Sequence, residues 1–315
     1  MGEFELIRRF FARPARHAVL GPGDDCALLQ PAPGMQLAIS SDMLVDGRHF
    51  LSTVDPAKLG HKALAVNLSD LAACGAKPLA FTLALALPRA DEAFLAPFAQ
   101  GLLALADVHG CDLVGGDTTQ GPLNICITVF GEVPAGQALL RSGARAGDDL
   151  WVSGTLGDAR LALEVFRGKL SVPAEVFEAA RVRMEAPTPR VALGVALRGV
   201  ATSAIDISDG LLGDLTHVLR ASGVGAVIDT SLALPLMAAP LQGAQRLEYI
   251  LAGGDDYELA FTAAPAQRAA VLQAAAQAGT VATCIGSIEA GPGIRLLDSK
   301  GQALDARYAS FDHFA

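Results

Sequence analysis

Pro56-Ala-Lys-Leu-Gly-His-Lys-Ala-Leu-Ala-Val-Asn-Leu-Ser-Asp-Leu-Ala-Ala-Cys-Gly-Ala-Lys-Pro-Leu-Ala-Phe-Thr-Leu-Ala-Leu-Ala-Leu87 carries both kinds of element from which the first half of the chain is built. Residues Pro56 to Cys74 read as a helix and Pro78 to Leu87 as a strand. Outward from this stretch, Gln36 to Ser41 and Leu123 to Val133 read as further strands, Asp91 to His109 as a second helix, and Glu3 to Ala12 as a short amphipathic helix. Strands alternating with helices of this length imply an α/β or α+β domain. A loop rich in glycine and arginine, Leu140-Arg-Ser-Gly-Ala-Arg-Ala-Gly147, ends it, so the expected domains are residues 1–140 and 148–315. The second half opens on a strand, Asp149 to Ser153. Helices follow around Leu156 to Arg167, Ala174 to Met184 and Pro189 to Gly199. Strands follow at Ser203 to Ile207, Ala226 to Ile228, Tyr257 to Phe261 and Thr280 to Ile288.

The chain has 315 residues, 51% of them hydrophobic and only 5% aromatic, so its core must be made of Ala, Leu and Val. A formal charge of −9 disfavours nucleic acid as a partner, because a phosphate backbone rewards a basic face. Cys26, Cys74, Cys111, Cys126 and Cys284 lie far apart in apolar segments, with no C-x-x-C pair, and read as buried reduced thiols. Glu3 and Glu5 interrupt the N-terminal apolar residues, which is unlike a signal peptide. The longest apolar run, Pro78 to Pro88, is too short to cross a bilayer. The expectation is a soluble cytoplasmic protein without a membrane or nucleic-acid partner.

The informative feature is the placing of the aspartates. Asp24 and Asp25 lie in Gly21-Pro-Gly-Asp-Asp-Cys26, Asp42 ends Ala38-Ile-Ser-Ser-Asp42, and Asp70 ends Ala65-Val-Asn-Leu-Ser-Asp70. Asp117 lies in Leu113-Val-Gly-Gly-Asp-Thr-Thr119, Asp206 and Asp209 in Ala204-Ile-Asp-Ile-Ser-Asp-Gly210, and Asp255 and Asp256 in Leu251-Ala-Gly-Gly-Asp-Asp-Tyr257. Apolar or glycine neighbours put them at the ends of buried strands or in tight glycine turns. Ser69-Asp70 and Ser208-Asp209 each read as a helix N-cap. None of these segments contains Lys or Arg. Three outcomes stand open: solvated turn residues, protonated acids, or carboxylates converging on divalent ions. With Ser40, Ser41 and Thr118 the candidate donors are all oxygen, which suits Mg²⁺ or Mn²⁺, and such ions would let an acidic chain hold polyphosphate. A G-x-x-x-x-G-K-[ST] loop is missing, as are the H-R-D and D-F-G sets of protein kinases.

The series Gly21-Pro-Gly-Asp-Asp-Cys-Ala-Leu28, Ser40-Ser-Asp-Met-Leu-Val45 with Gly47-Arg-His-Phe50, Lys62 to Ala73, Gly115-Gly-Asp-Thr-Thr119, Arg141-Ser-Gly143, Asp206-Ile-Ser-Asp-Gly-Leu211, Gly253-Gly-Asp-Asp-Tyr-Glu-Leu259 and Asp312-His-Phe314 resembles that of bacterial thiamine-monophosphate kinases. The resemblance is colinear from residue 3 to residue 314. It implies the two-domain fold shared with aminoimidazole ribonucleotide synthetase, with the N-terminal sheet pairing across a homodimer into a barrel and ATP bound between the domains. In it Asp25, Ser40, Ser41, Asp42, Asp70, Asp117, Asp206 and Asp209 resemble Mg²⁺ ligands. Gly116, Asp117, Arg141 and Ser208 resemble ATP contacts, and His49, Asp255 and Phe311 resemble contacts to thiamine phosphate. Asp255 stands where relatives often have Glu, and Phe311 where a larger or hydroxylated aromatic is frequent.

The implied reaction needs no general base. The acceptor is a phosphate monoester whose second pKa is about 6, so its oxygen is already anionic at neutral pH. Charge neutralisation and in-line alignment supply the acceleration. Rivals of the same fold fit less well. A selenophosphate synthetase would carry a reactive Cys or selenocysteine before the Gly-Asp-Asp turn, and a hydrogenase maturation factor would end in Cys; this chain ends Phe314-Ala315. A metal-dependent phosphohydrolase and an ATP-binding module without turnover are the rivals of other classes.

Overall fold

Asp55 starts one of the two longest helices among the described residues: its carboxylate accepts from the N–H groups of Ala57 and Lys58, and the helix α2 (Pro56–Ala73) runs on from there. In the computed structural model, which describes residues 2–304 and residue 308, α2 belongs to the first of two compact units. That unit comprises the residues up to Leu71 together with Ala76–Gly136; the second comprises Ala72–Gly75 and the residues from Gln137 on. The first unit begins with α1 (Glu3–Phe10) and a two-stranded ribbon, β1 (Ala18–Leu20) and β2 (Leu28–Leu29). It continues with β3 (Met35–Val45), α2, β4 (Lys77–Leu87), α3 (Glu92–His109), β5 (Asp112–Gln120) and β6 (Asn124–Pro134).

The four longer strands form one sheet in the order β3-β6-β4-β5, antiparallel except for β4 beside β5. A parallel pair needs a long crossover, and α3 is that crossover. Alternation along the strands gives the sheet two faces. Phe81, Leu83, Leu85, Ile125, Ile127 and Val129 are buried on one. Helix α2 lies against this face, where Leu71 packs on Gly131. Helices α2 and α3 meet backbone to backbone at Gly60 and Gly101: a Cβ on Gly60 would lie 2.0 Å from the Phe98 carbonyl, and one on Gly101 would lie 1.8 Å from that of Ala57. The opposite face is open at β3, where Leu37, Ile39 and Met43 are 40%, 61% and 52% exposed.

The second unit is built from β7 (Asp149–Ser153), α4 (Asp158–Phe166), α5 (Ala174–Glu185), α6 (Val191–Ala196), β8 (Ser203–Ile207), α7 (Leu211–Ser222) and β9 (Gly225–Asp229). After these come α8 (Thr230–Ala233), α9 (Ala244–Ala252), β10 (Glu258–Ala263), α10 (Arg268–Gln277), β11 (Ala282–Glu289) and β12 (Gly293–Leu297). The strand order is β12-β9-β11-β7-β10-β8, antiparallel except for β12 beside β9. Leu150, Val152, Ile205, Ile207, Leu215 and Ile228 centre its core. Trp151 is buried, as expected, and stacks on Phe261 at 6.4 Å. No helix among the described residues is long and apolar enough to cross a membrane.

Several expectations need correction. The stretch around Gly115-Gly116 is not a turn but the middle of β5, and Asp42 likewise sits within β3 rather than at its end. Gly116 is required there by close approach: its φ is +146°, and a Cβ would lie 1.8 Å from the Leu83 carbonyl on β4. Ser69-Asp70 does not cap a helix start, because it lies in the last turn of α2. Ser208-Asp209 does precede α7, but the N-cap is Gly210 and makes no side-chain cap bond. Among the cysteines, all free, Cys111 is buried whereas Cys26 is exposed in the β1–β2 loop. Helices α8, α9 and α10 and strand β12 have no counterpart among the expected elements, whereas α7 is the helix expected after Ser208-Asp209; α10 (Arg268-Ala-Ala-Val-Leu-Gln-Ala-Ala-Ala-Gln277) has too few large apolar residues to show a stripe.

Asp112, the first residue of β5 and 1% exposed, anchors the segment before β1. Its carboxylate accepts from the backbone N–H groups of Arg16 and, at 2.7 Å, His17, and from Arg16 Nε at 3.2 Å. Burial pushes this acid up, but the His17 and Arg16 donors outweigh it and hold the carboxyl below the usual carboxylate range. Its ionised form therefore stabilises the fold above the unfolded-state pKa of about 4, and that contribution vanishes as pH falls through the lower folded value. Asp112→Asn should cost about 2 kcal/mol at pH 7, with the difference from the parent shrinking below about pH 4; urea denaturation followed by circular dichroism across pH measures it. Gly116→Ala should lose about 3 kcal/mol or more with or without nucleotide, measured the same way.

Candidate functional site

In the first unit the candidate residues collect on β3 and α2. Ser40 and Asp42, two apart, share the helix-side face of β3. Ser40 Oγ donates to Asp70 Oδ2 at 2.5 Å. The N–H of Asp42 donates to Asn67 Oδ1 at 3.0 Å, and Asn67 Nδ2 in turn bonds the Ala63 carbonyl within α2. Asn67 is 1% exposed and was quoted in the sequence reading only as part of a motif; it ties the backbone of β3 to the helix turn that bears Asp70. Ser40, Asp42 and Asp70 are therefore brought together by the packing of one helix on one edge strand.

Ser41 and Asp117 belong to the other face. Ser41 pairs in register with Thr128, donates to the Ile127 carbonyl at 3.1 Å, and lies 3.0 Å from Thr128 Oγ1. Asp117 pairs with Ala84, which pairs with Cys126, which pairs with Met43. These four residues line one open cavity of about 380 Å³ on the face away from α2. Strands β3 and β5 are the two edges of the sheet, so three strand spacings, about 14 Å, separate them. The chain by itself thus does not bring Asp117 to the Ser40–Asp42–Asp70 group. Asp25 sits exposed in the β1–β2 loop, its N–H turned onto the Asp24 carboxylate at 2.9 Å. His49 is half-buried, and its Nδ1 accepts from the Val45 N–H at 2.9 Å, which leaves the neutral ring's proton on Nε2 as a donor.

In the second unit the candidates gather at two adjoining turns. Asp206, 7% exposed, lies next to last in β8, and Ser208 and Asp209 occupy the turn into α7. Asp214, one turn into that helix, accepts from the N–H groups of Ser208, Asp209 and Gly210 at 3.0 to 3.1 Å. The helix start is thus satisfied from inside by a residue the sequence reading passed over, although a carboxylate in a helix's first turns is a recognisable signal. Burial, then the neighbouring Asp209 charge, push Asp214 up to about 7. Asp255 N–H donates to the Ser208 carbonyl at 2.7 Å, which lays the second turn, Gly253 to Tyr257, against the first. Asp256 is fully buried and both its oxygens accept from the Gly157 N–H; burial pushes its carboxyl well above the usual range. Arg141 is exposed, with its carbonyl taking the Ser222 Oγ proton at 3.1 Å. Phe311 lies outside the described residues.

The donor set is oxygen throughout, but it is not a preformed cage. Among the described residues no three His, Cys, Asp or Glu side chains gather as a metal-holding group. The oxygen-only candidate donors are the ligand type that Mg²⁺ takes, alongside water and substrate phosphates.

Residues 23–133 match the family described as AIR synthase related protein, N-terminal domain, and residues 145–299 match AIR synthase related protein, C-terminal domain. The chain is 46% identical over 322 residues to the thiamine-monophosphate kinase of Escherichia coli K12, covering all of this chain and 98% of that one. The crystal structure of thiamine-monophosphate kinase from Stenotrophomonas maltophilia K279a superposes with a TM-score of 0.85 at 44% identity, covering 96% of each chain. AaThiL complexed with AMPPCP and TMP superposes with a TM-score of 0.76 at 27% identity, covering 99% of this chain and 96% of that one. With identity sustained over its whole length and both domain families matched in order, the chain belongs to the thiamine-monophosphate kinase family.

Proposed function

We propose that this protein transfers the γ-phosphate of ATP to thiamine monophosphate, giving thiamine diphosphate and ADP. The observation that carries the reading is the end-to-end match to proteins named for that reaction. A relative complexed with AMPPCP, an ATP analogue, and TMP adds support. The site agrees with it chemically, because its candidate groups are carboxylates and hydroxyls held by buried partners rather than a nucleophile–base pair. Bound Mg²⁺ would supply the positive charge that lets an anionic acceptor approach ATP.

Within this reading each residue has one task. Ser40, Asp42 and Asp70 hold metal from the α2 side of β3; Ser41 and Asp117 hold it from the open side; Asp25, Asp206 and Asp209 add ligands from their turns. Gly116, Asp117, Arg141 and Ser208 contact ATP, with Arg141 adding a bidentate phosphate contact. His49 donates from Nε2 to the substrate phosphate, and Asp255 with Phe311 receives the thiazolium end, whose cation favours a carboxylate and an aromatic face. The residues to 140 form the ATP- and metal-binding, dimer-forming domain, and those from 148 complete the site. A homodimer fits the edge geometry: pairing β3 of one copy beside β5 of another closes two sheets into a barrel. It would cover Leu37, Ile39 and Met43 and carry Asp117 of a second copy toward Ser41. Such chemistry belongs to the cytoplasm, where ATP is supplied.

Incubation with ATP, Mg²⁺ and thiamine monophosphate should yield ADP and thiamine diphosphate in equal amounts, read by chromatography. Inorganic phosphate as the main product would instead indicate a hydrolase. Asp42→Asn and Asp209→Asn should each lower kcat by about a hundredfold or more while circular dichroism stays native. Near-normal turnover in both variants removes the ligand assignment.

A further inference from the structure

The turn that carries Asp255 is strained. Asp255 and Tyr257 adopt left-handed backbone, with φ of 64° and 52°, and neither is glycine. Such residues persist only where the surroundings over-determine them. Here the N–H groups of both are spent on β8 and its turn, Asp255 to the Ser208 carbonyl at 2.7 Å and Tyr257 to that of Ile207 at 2.9 Å. The residue that follows is a heavily bonded carboxylate. Glu258 is 0% exposed and accepts from Arg190 Nε at 2.6 Å and Nη2 at 2.5 Å, from Arg183 Nη2 at 2.7 Å and from Ser153 Oγ at 2.6 Å. Ser153 Oγ accepts in turn from the Leu259 N–H at 2.9 Å. Arg183 Nη2 also reaches the Asp256 carbonyl at 3.4 Å, so one guanidinium grips the chain on both sides of Tyr257.

We propose that Glu258, through Arg183 and Arg190, is a positioning residue for the acceptor: it locks the left-handed segment that presents the Asp255 carboxylate. The inference rests on the reading of Asp255 as an acceptor contact. Glu258 itself lies buried behind the turn. The donor side has separate support, because Asp214 alone gathers the N–H groups of Ser208, Asp209 and Gly210. Loss of the Glu258 clamp therefore acts on the acceptor and spares ATP, a split that a general loss of stability does not produce.

Steady-state kinetics with ATP, Mg²⁺ and thiamine monophosphate test this on the full chain. Glu258→Gln should raise the acceptor KM about tenfold or more and leave the ATP KM within about twofold. Asp255→Asn alone should raise the acceptor KM, and the double variant should be no worse than the weaker-binding single one, because the clamp acts only through Asp255. Multiplying effects, or acceptor and ATP constants rising together, overturn the proposal. Should Glu258→Gln not fold, Arg190→Lys keeps the charge and removes the fork, and the same selective rise is expected in smaller measure. Amide exchange separates the clamp from the activity: the Asp255 and Tyr257 amides should exchange about tenfold faster in the Glu258 or Arg190 variant. Unchanged exchange in the variants sinks the clamp even in an active enzyme, whereas accelerated exchange in the variants, with a parent that does not phosphorylate thiamine monophosphate, upholds the clamp and sinks the functional reading.

Discussion

A carboxylate withdrawn from water must be met by donors, and this chain meets that demand largely with its own backbone. Asp112 takes the N–H groups of Arg16 and His17, Asp158 those of Ala238 and Ala239, Asp214 those of three successive turn residues, and Asp256 that of Gly157. Each bond joins segments that the regular ladders leave apart: the N-terminal arm to β5, the loop after α8 to α4, the end of β8 to α7. Of the candidate residues, Asp117 lies on β5, Asp206, Ser208 and Asp209 lie at the end of β8 and the turn into α7, and Asp255 lies beside that turn. Asp214, the acid that braces the turn with Asp209, is itself buried.

The two kinds of acid differ in what surrounds them. Those that hold backbone are buried, and where a like charge lies close the proton is retained more strongly, as for Asp214 beside Asp209 and Asp256 near Asp158. Of the candidate ligands, Asp25 and Asp117 are exposed, Asp42, Asp70 and Asp209 are half-buried, and Asp206 is buried; the acceptor candidate Asp255 is half-buried. Partial exposure leaves a carboxylate within reach of an arriving cation.

Much of this was legible beforehand. The strands at Lys77–Leu87 and Asn124–Pro134 and the helices α2 and α3 follow their sequence patterns to within a residue or two, because long apolar runs and a buried helix leave little choice. The failures share one cause. Gly115-Gly116 signals a turn only if nothing comes close, but β4 does, and the missing Cβ makes room for it. Ser69-Asp70 signals a helix start only if the helix has not already begun, and Asp55 begins it fourteen residues earlier. The first cue is overruled by a paired strand from elsewhere in the sheet, the second by the helix that already runs through it from Pro56.

The sequence by itself determined most of the longer elements, their mixed α/β character, the oxygen-only donor set among the candidates and, through colinear motifs, the family. Those properties are written in residue type and spacing along one dimension. Only the tertiary structure decided which donors share a face: Ser40 and Asp42 with Asp70 on one side of the sheet, Ser41 and Asp117 on the other. It alone revealed the supports, Asn67, Asp214, Asp256 and Glu258, that hold those donors in place. Face and support follow from strand register and from hydrogen bonds between segments up to a hundred or so residues apart, and neither leaves a periodic trace in the chain.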